Sequence, residues 1–579
     1  MHSLSRERGA TLLDAVVGTG LMLVVFVGIV GAFRLTVQAV GNNSARAGAI
    51  ALANERLEYI RSLPYDSIGT VGGIPAGALA QEENVVLNNI TYTRRTFVGY
   101  EDDPGDGVGA ADSNNIVTDY KAVKTDVSWL SRQGTRTITM VARLSPPGVE
   151  TAVPGGTLVI EVTDAAAAPV SNVAVRIVNE STNPQIDMTT FTDANGLATV
   201  LGAPPGANYE ITVTKSGYST AQTYDADVVN TNPIPAHLAV ALNQTTLSTF
   251  QIDLLSSLTV QTFEPVEESE WDDVFINASQ LSQVNGVEVF GGSLVLTNVE
   301  GAFGEEGTGV SVSIAPQYLF GWNEFAWDDS RPAGTDIRYH VYTDAGVLVP
   351  DSALAGNSAG FSTSPVSLAG LATTTYPALR VGALLQSSDP EKTPSVNSWR
   401  VTYDVGPTPL PNATFTMRGA KTVGSGPGGP VYKYDVNHSS GGNGSITIGA
   451  VEYDTYTLSV PVSSGYDISS SCAPQPTVVV PNSSVTSQLF LSPHTANSLL
   501  VDVRAAGGAV IPGASVRLQR QSYDTTIATD SCGQSFFSGI AASAGTPYTI
   551  TVTAPGYQNY TNTELEVTGT VRLSVILNN

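Results

Sequence analysis

The residues in this chain able to do chemistry are few. The densest group is Glu101-Asp102-Asp103-Pro104-Gly105-Asp106-Gly107, with Asp112 and Asn114 just beyond. Carboxylate and amide oxygens crowded among glycines are the ligands that a hard cation such as Ca2+ takes. Asp102, Asp103, Asp106 and Asp112 are therefore candidate calcium ligands, although the spacing is not that of an EF-hand and an acidic solvated turn explains the same residues without an ion. A second group, Trp322, Trp327, Asp328 and Asp329, sets aromatic faces beside carboxylates, a pairing that stacks on sugar rings and grips their hydroxyls; core packing is the alternative. The two cysteines, Cys472 and Cys532, form no CxxC pair and the five histidines are dispersed. That argues against zinc and for one structural disulfide in an oxidising exterior, with two free thiols as the alternative. No GxSxG elbow, HExxH pair or P-loop occurs. The acidic run from Glu264 to Asp273 reads as a solvated linker rather than a glycosidase acid pair. The chain is expected not to be an enzyme and to require no cofactor, calcium being the one candidate ion.

The elements that carry these residues begin with a helix. Ala15 to Phe33 contains no charged residue, a length that crosses most of a bilayer core as a helix, while Asp14 sits at its start, where lipid makes a lone carboxylate costly. Ile50, Ala53, Leu57 and Ile60 recur at spacings of three and four, and Pro64 stops the pattern. One transmembrane and stalk helix is expected over 10–63. Farther on, Val123, Thr125, Val127 and Trp129 alternate toward a turn at Arg132-Gln133-Gly134, and Ile138, Met140, Ala142 and Leu144 alternate on the return, which predicts a hairpin.

The stretch Arg8-Gly9-Ala10-Thr11-Leu12-Leu13-Asp14 resembles the type IV prepilin signal, a basic leader ending in Gly followed by a mature N-terminus with an acidic fifth residue. The resemblance implies that a prepilin peptidase cuts between Gly9 and Ala10, that the new amine of Ala10 is methylated, and that Asp14 pairs with the N-terminal amine of a neighbouring subunit during assembly. Asp in place of the usual Glu, and Ala in place of Phe at the mature first position, depart from the pattern. Residues Ala51 to Tyr65 look like the helix exit of minor pilins and type II secretion pseudopilins. A single-pass anchor with a helical stalk satisfies the same physics. The expected address is the inner membrane before assembly and the cell surface or an extracellular filament afterwards.

Three segments then repeat a common order. The first carries Gly156–Val162, Thr192-Asp193-Ala194-Asn195-Gly196, Tyr209–Val213 and Gly217-Tyr218; the last carries Ser498–Val503, Thr529-Asp530-Ser531-Cys532-Gly533, Tyr548–Val552 and Gly556-Tyr557. A weaker copy carries Asn443-Gly444-Ser445-Ile446, Tyr456–Val460 and Gly465-Tyr466. These resemble the carboxypeptidase regulatory-like, transthyretin-type sandwich, an Ig-like module whose name carries no peptidase activity. The resemblance puts Cys532 in a module turn and Cys472 just after a neighbouring module's Gly-Tyr, so an interdomain disulfide is expected. Between 266 and 405 lie most of the tryptophans, in a segment loosely similar to galactose-binding-like jelly rolls.

The expected fold is thus a long transmembrane helix with a small α+β pilin headpiece, followed by multi-domain all-β structure of Ig-like sandwiches and a jelly-roll-like domain. The boundaries read as a leader over 1–9, the helix over 10–63, a headpiece over 64–147, sandwiches over 156–260, 408–493 and 497–579, and the jelly roll over 266–405. A net charge of -25, with 27 Lys and Arg against 52 Asp and Glu, excludes nucleic acid as a partner for want of a basic patch. The role expected is a minor pilin or surface adhesin that touches a surface, glycan or other cell. A secretion pseudopilin and an unpolymerised anchored stalk are the alternatives.

Overall fold

A computed structural model describes residues 12–579 apart from 108, 115, 133, 149–151, 473–475 and 544. Gly9 and Ala10 lie outside the described residues, as does the side chain of Asp14. The chain is one long apolar helix followed by several β-sandwich domains, and it divides into two compact units: Met1–Leu255 with Thr422–Lys433, and Ser256–Lys421 with Tyr434–Asn579.

In the first unit, helix α1 runs over Leu12–Arg61, about 75 Å at 1.5 Å per residue. Its most apolar stretch has a mean hydropathy of 2.5 and is long enough to cross a membrane. From Val16 to Ser44 nearly every side chain is exposed. Thereafter Ala45, Ala49, Leu52, Ala53, Leu57 and Ile60 are buried at helical spacing against a sheet. That sheet is an antiparallel meander of β1 (Glu82–Leu87), β2 (Ile90–Glu101), β3 (Tyr120–Ser131) and β4 (Gly134–Leu144). Alternation delivers Val123, Val127 and Trp129 to the helix side. Gly48 admits Tyr92, whose hydroxyl donates to the Ala45 carbonyl at 2.9 Å; a Cβ at Gly48 would lie 2.5 Å from that hydroxyl.

Helix and sheet are also joined by charge. Arg56 and Arg94, with side chains 8% exposed, converge on Glu83 at 3.3 and 3.1 Å. Burial lowers the Arg56 pKa against the pull of Glu83.

The meander unit packs directly on the sandwich that follows. Ile74, on the loop after the helix, is 3% exposed and belongs to the sandwich core with Ile177, Ile186 and Tyr209. Asp187 N donates to Gly72 O at 2.9 Å, and Gln81 Nε2 donates to Asp187 O at 2.6 Å. A hairpin from residues 422–433 completes this unit: Asn232 pairs with Ser425, and Asn230 Nδ2 donates to Val423 O at 2.9 Å.

Three sandwiches share one plan, in which the first strand pairs in parallel with the last. Gly156–Thr163 pairs with Thr245–Gln251, Ser256–Glu264 with Ser484–Pro493, and Ser498–Ala505 with Thr570–Leu577. Residues 256–264 are therefore the first strand of the middle sandwich. This corrects two expected boundaries: the first sandwich ends at Leu255 rather than 260, and the middle one is 256–264 plus 408–493 rather than 408–493 alone. Segment 266–405 is inserted within the middle sandwich, between its first strand and residue 408.

The insertion leaves and returns at one place. Its opening strand, Glu267–Asp273, lies antiparallel to its closing strand, Ser395–Val405, with Glu267 opposite Val405, and Phe263 is paired with Pro409 just outside. The acidic run expected as a linker is thus largely a strand, with Glu268, Glu270 and Asp272 exposed and Asp273 buried. The inserted domain stacks a six-stranded on a four-stranded antiparallel sheet around Trp322, Phe325, Tyr339 and Trp399.

The same turn recurs in all three repeats. Asp193 N donates to Leu197 O, Gly441 N to Ser445 O and Asp530 N to Gln534 O, and Gly196, Gly444 and Gly533 have φ of +74°, +72° and +74°. A Cβ at Gly444 would meet Thr262 O at 2.8 Å, so the glycine serves both its conformation and the close approach of the first strand. The tyrosine that opens the next strand is buried each time, its hydroxyl donating to a carbonyl: Tyr209 to Pro204, Tyr456 to Glu452, Tyr548 to Ala541. Burial pushes the Tyr209 phenol up to about 12.

Candidate functional site

The acidic loop joins β2 to β3. Asp112 is 5% exposed and Asp119 2%. Asp102 Oδ2 accepts from Gly109 N at 2.7 Å, Asp106 Oδ2 from Asn114 Nδ2 at 2.9 Å, and Asp112 Oδ1 from Asn114 N at 2.8 Å. Each of the three has its other oxygen buried without a hydrogen-bond partner. Asp103 differs: it is exposed, and its Oδ1 accepts from Gly105 N at 3.0 Å. Among the described residues, no group of three or more carboxylates, imidazoles or thiolates is placed to hold a metal ion. Asp119, absent from the sequence reading, accepts from Asp103 N at 2.6 Å and ties the loop to β3. Its N–H donates to Glu101 O at 3.2 Å, beside the Glu101–Tyr120 pair that ends the β2–β3 ladder, a place that depends on the sheet.

The aromatic and acidic group of the inserted domain is split by the strand Leu319–Ser330, whose pleat is shifted by an irregularity between Trp322 and Glu324. Trp322 is 2% exposed and donates from Nε1 to Tyr376 O at 2.8 Å, so it is core and has no free face. Trp327 is half-buried, stacked on Tyr339 with ring centroids 3.9 Å apart. Asp329 accepts from Arg331 at 2.6 Å and from the Tyr339 hydroxyl at 3.0 Å. Burial, then the neighbouring Asp329, raises the Tyr339 pKa. Asp328 points the other way, is exposed, and accepts from Asn397 at 2.9 Å. Of the four candidates only Trp327 and Asp328 line a groove, of about 530 Å³, together with Glu270, Asp272, Glu324 and Arg400. Of these, Glu270 and Asp272 are outward positions of the alternating strand Glu267–Asp273, a signal the sequence displays locally.

Cys472 and Cys532 are joined in a disulfide with Cα atoms 5.1 Å apart. The bond bridges the strand Tyr466–Cys472 of the middle sandwich to the turn of the last. Around it Ser471 N donates to Gln534 Oε1 at 2.7 Å, and the buried Asp467 carboxylate accepts from Thr570 Oγ1 at 3.1 Å and lies 2.8 Å from His494 Nδ1. A disulfide closing a loop of 60 residues restricts the unfolded chain, so Cys472→Ser with Cys532→Ser is expected to cost the last two sandwiches about 2–4 kcal/mol. Denaturant unfolding with and without reductant checks this; equal midpoints for parent and variant would show the polar contacts suffice.

Residues 157–247 and 498–578 match the carboxypeptidase regulatory-like domain. The middle sandwich repeats their hydrogen-bond plan. No curated protein matches the chain by sequence. Among solved structures, the chain is similar to the TIE protein of Bacillus anthracis, at 11% identity and TM-score 0.16 over 87% of this chain and 74% of that one. It is also similar to BcpA, the major pilin subunit of Bacillus cereus, at 11% identity and TM-score 0.13 over 73% and 99%. The full-length major pilin SpaD of Corynebacterium diphtheriae likewise gives 11% and 0.13 over 73% and 98%. Scores this low bear on neither the fold nor the role of this chain. The family resemblance therefore rests with the two matched segments, which are similar to carboxypeptidase regulatory-like domains.

Proposed function

We propose that this chain is a type IV pilin-like surface subunit of the minor pilin kind, structural and adhesive rather than catalytic. In this reading a prepilin peptidase removes residues 1–9 and methylates Ala10. The helix holds the chain in the inner membrane and then packs among the helices of other pilin subunits. The observation that carries it is the division of α1: its apolar N-terminal part is exposed over Val16 to Ser44, while its C-terminal part is docked on the chain's own four-stranded sheet. So much exposed apolar surface needs lipid, and later neighbouring helices, to cover it. Asp14 belongs to the same argument, since a carboxylate at the edge of an apolar helix is tolerable when paired with an amine. The sandwiches present contact surface, and the Trp327–Asp328 groove of the jelly-roll-like insertion is the place for a glycan or cell-surface ligand.

The test is the mass of the N-terminal peptide after expression with a prepilin peptidase. A chain beginning at methylated Ala10 is expected. An intact Met1, or a cut beyond Phe33, overturns the pilin reading in favour of an ordinary anchor or secreted protein. Shearing then separates the remaining readings, because a filament subunit is released with the filaments and an unpolymerised stalk stays with the cells.

A further inference from the structure

We infer that the end of the meander nearest the apolar span is a docking surface for an anionic lipid bilayer, made by Arg132 and Arg136 of the β3–β4 hairpin with Leu130 beside them. The direction of the strands puts it there. Along β3, Val123 packs with Leu57 and Ile60, while Val127 and Trp129 pack with Ala45 and Ala49. The strand therefore runs antiparallel to α1, and its continuation past Trp129 heads toward the uncharged stretch that ends at Phe33. Tyr92 pairs with Trp129 across β2 and β3, and its hydroxyl reaches the Ala45 carbonyl, so Trp129 stands level with Ala45. From Phe33 to Ala45 the helix rises about 18 Å. The strand residues from Trp129 to Arg132 recover about 10 Å of that. Arg132 is thus left roughly 8 Å from the end of the span, within a Debye length at physiological salt.

Charge is segregated to match. The chain carries 52 Asp and Glu against 27 Lys and Arg, so most of its surface is acidic. This end is not. Residues 15–54 of the helix, 84–93 around the first turn of the meander and 127–138 around the last contain Arg34, Arg46, Arg132 and Arg136, and neither Asp nor Glu. All four arginines are exposed. Arg34 directly follows the span, at the level of the headgroups, and the hairpin brings the other pair down toward it. A guanidinium pairs with phosphate through two parallel hydrogen bonds, and basic residues held this close to an anionic bilayer are attracted to it. Leu130, 81% exposed, gives the same tip an apolar residue to set into the headgroup boundary.

A bilayer is the partner that position specifies, because the span of α1 holds this end toward one. From Arg34 to Ser44 the helix is nearly bare, so the contact decides how the meander sits on the membrane. The inference rests only on α1 spanning a bilayer, which a plain anchor satisfies as well as a pilin.

The test is amide exchange on the full chain reconstituted into vesicles of phosphatidylcholine alone and into vesicles that also contain phosphatidylglycerol. Exchange at residues 130–135 should be at least about fivefold slower in the anionic vesicles, and high salt should erase the difference. Arg132→Gln with Arg136→Gln should abolish the slowing. Arg132→Lys with Arg136→Lys should keep most of it, because the surface needs the charge. Exchange at residues 123–127, inside the sheet, should stay the same throughout and reports that the fold is intact. Equal exchange in both kinds of vesicle, in a chain that floats with both, overturns the surface and leaves the anchor standing. A chain that floats with neither overturns both. Slowing that the Gln variant retains overturns the role of the arginines. Slowing in neutral vesicles that grows with the number of chains per vesicle assigns the face to a second copy and overturns the lipid reading.

Discussion

Glu83→Ala should loosen α1 from its sheet by about 3 kcal/mol. Glu83 is the shared anion of Arg56 and Arg94, whose side chains are both 8% exposed. Removing it leaves two guanidinium groups facing each other under the helix. Arg94 keeps Glu55 at 3.4 Å, but that carboxylate is 66% exposed and well screened. Breaking a buried pair typically costs about 3–5 kcal/mol, and the 31% exposure of Glu83 places this case at the low end. Amide exchange along Tyr120–Ser131, measured on the full chain in micelles, should speed up by about a hundredfold. Adding Arg94→Met should recover part of the loss by removing one stranded charge. Exchange no faster than in the parent would mean that the apolar contacts of Leu52, Leu57 and Ile60 hold the helix without the ion network.

The second large effect concerns the discontinuous middle sandwich. Deleting residues 267–405 and joining the flanks by a short turn should leave that sandwich folded, since Phe263 and Pro409 are already neighbours. Deleting 256–264 instead should abolish its folding. That strand supplies the fully buried Leu258 and Val260, the Thr262 hydroxyl bonded to Leu410 O at 2.7 Å, and ladders to Ser445–Val451 and Ser484–Pro493. Losing it exceeds the roughly 5–15 kcal/mol by which a domain is stable. Protease resistance of Phe415–Leu491 reads both arms. A resistant fragment after loss of 256–264, or none after loss of 267–405, would reverse the assignment of that strand.

Much of this architecture was legible before any coordinates. The helix end, the hairpin into Gly134 and the repeat marks are all local: a proline, a period of two, a Gly that must take positive φ. Such signals depend on neighbours a few residues away, and sequence displays those directly. The weak middle repeat was partly hidden because Gly441 stands where its counterparts have Asp193 and Asp530, and there Ser445 N donates to Asn443 Oδ1 in place of an aspartate at the turn's first position.

What sequence order could not display is pairing at a distance. Ser257 lies opposite Ser484, 227 residues on, with the inserted domain between them; no local pattern announces that partner, and a boundary read from sequence at 260 falls inside the strand. Ile74 reads as one apolar residue in a loop, and only packing puts it in the core of the following sandwich. The aspartates of the acidic loop are alike in type, yet burial separates Asp112 from the exposed Asp103. A register shift between Trp322 and Glu324 in the strand Leu319–Ser330 likewise leaves Trp322 in the core and Asp328 in the groove. Composition and spacing set which groups were available, and long-range contacts, through burial and register, set which of them face solvent and which face each other.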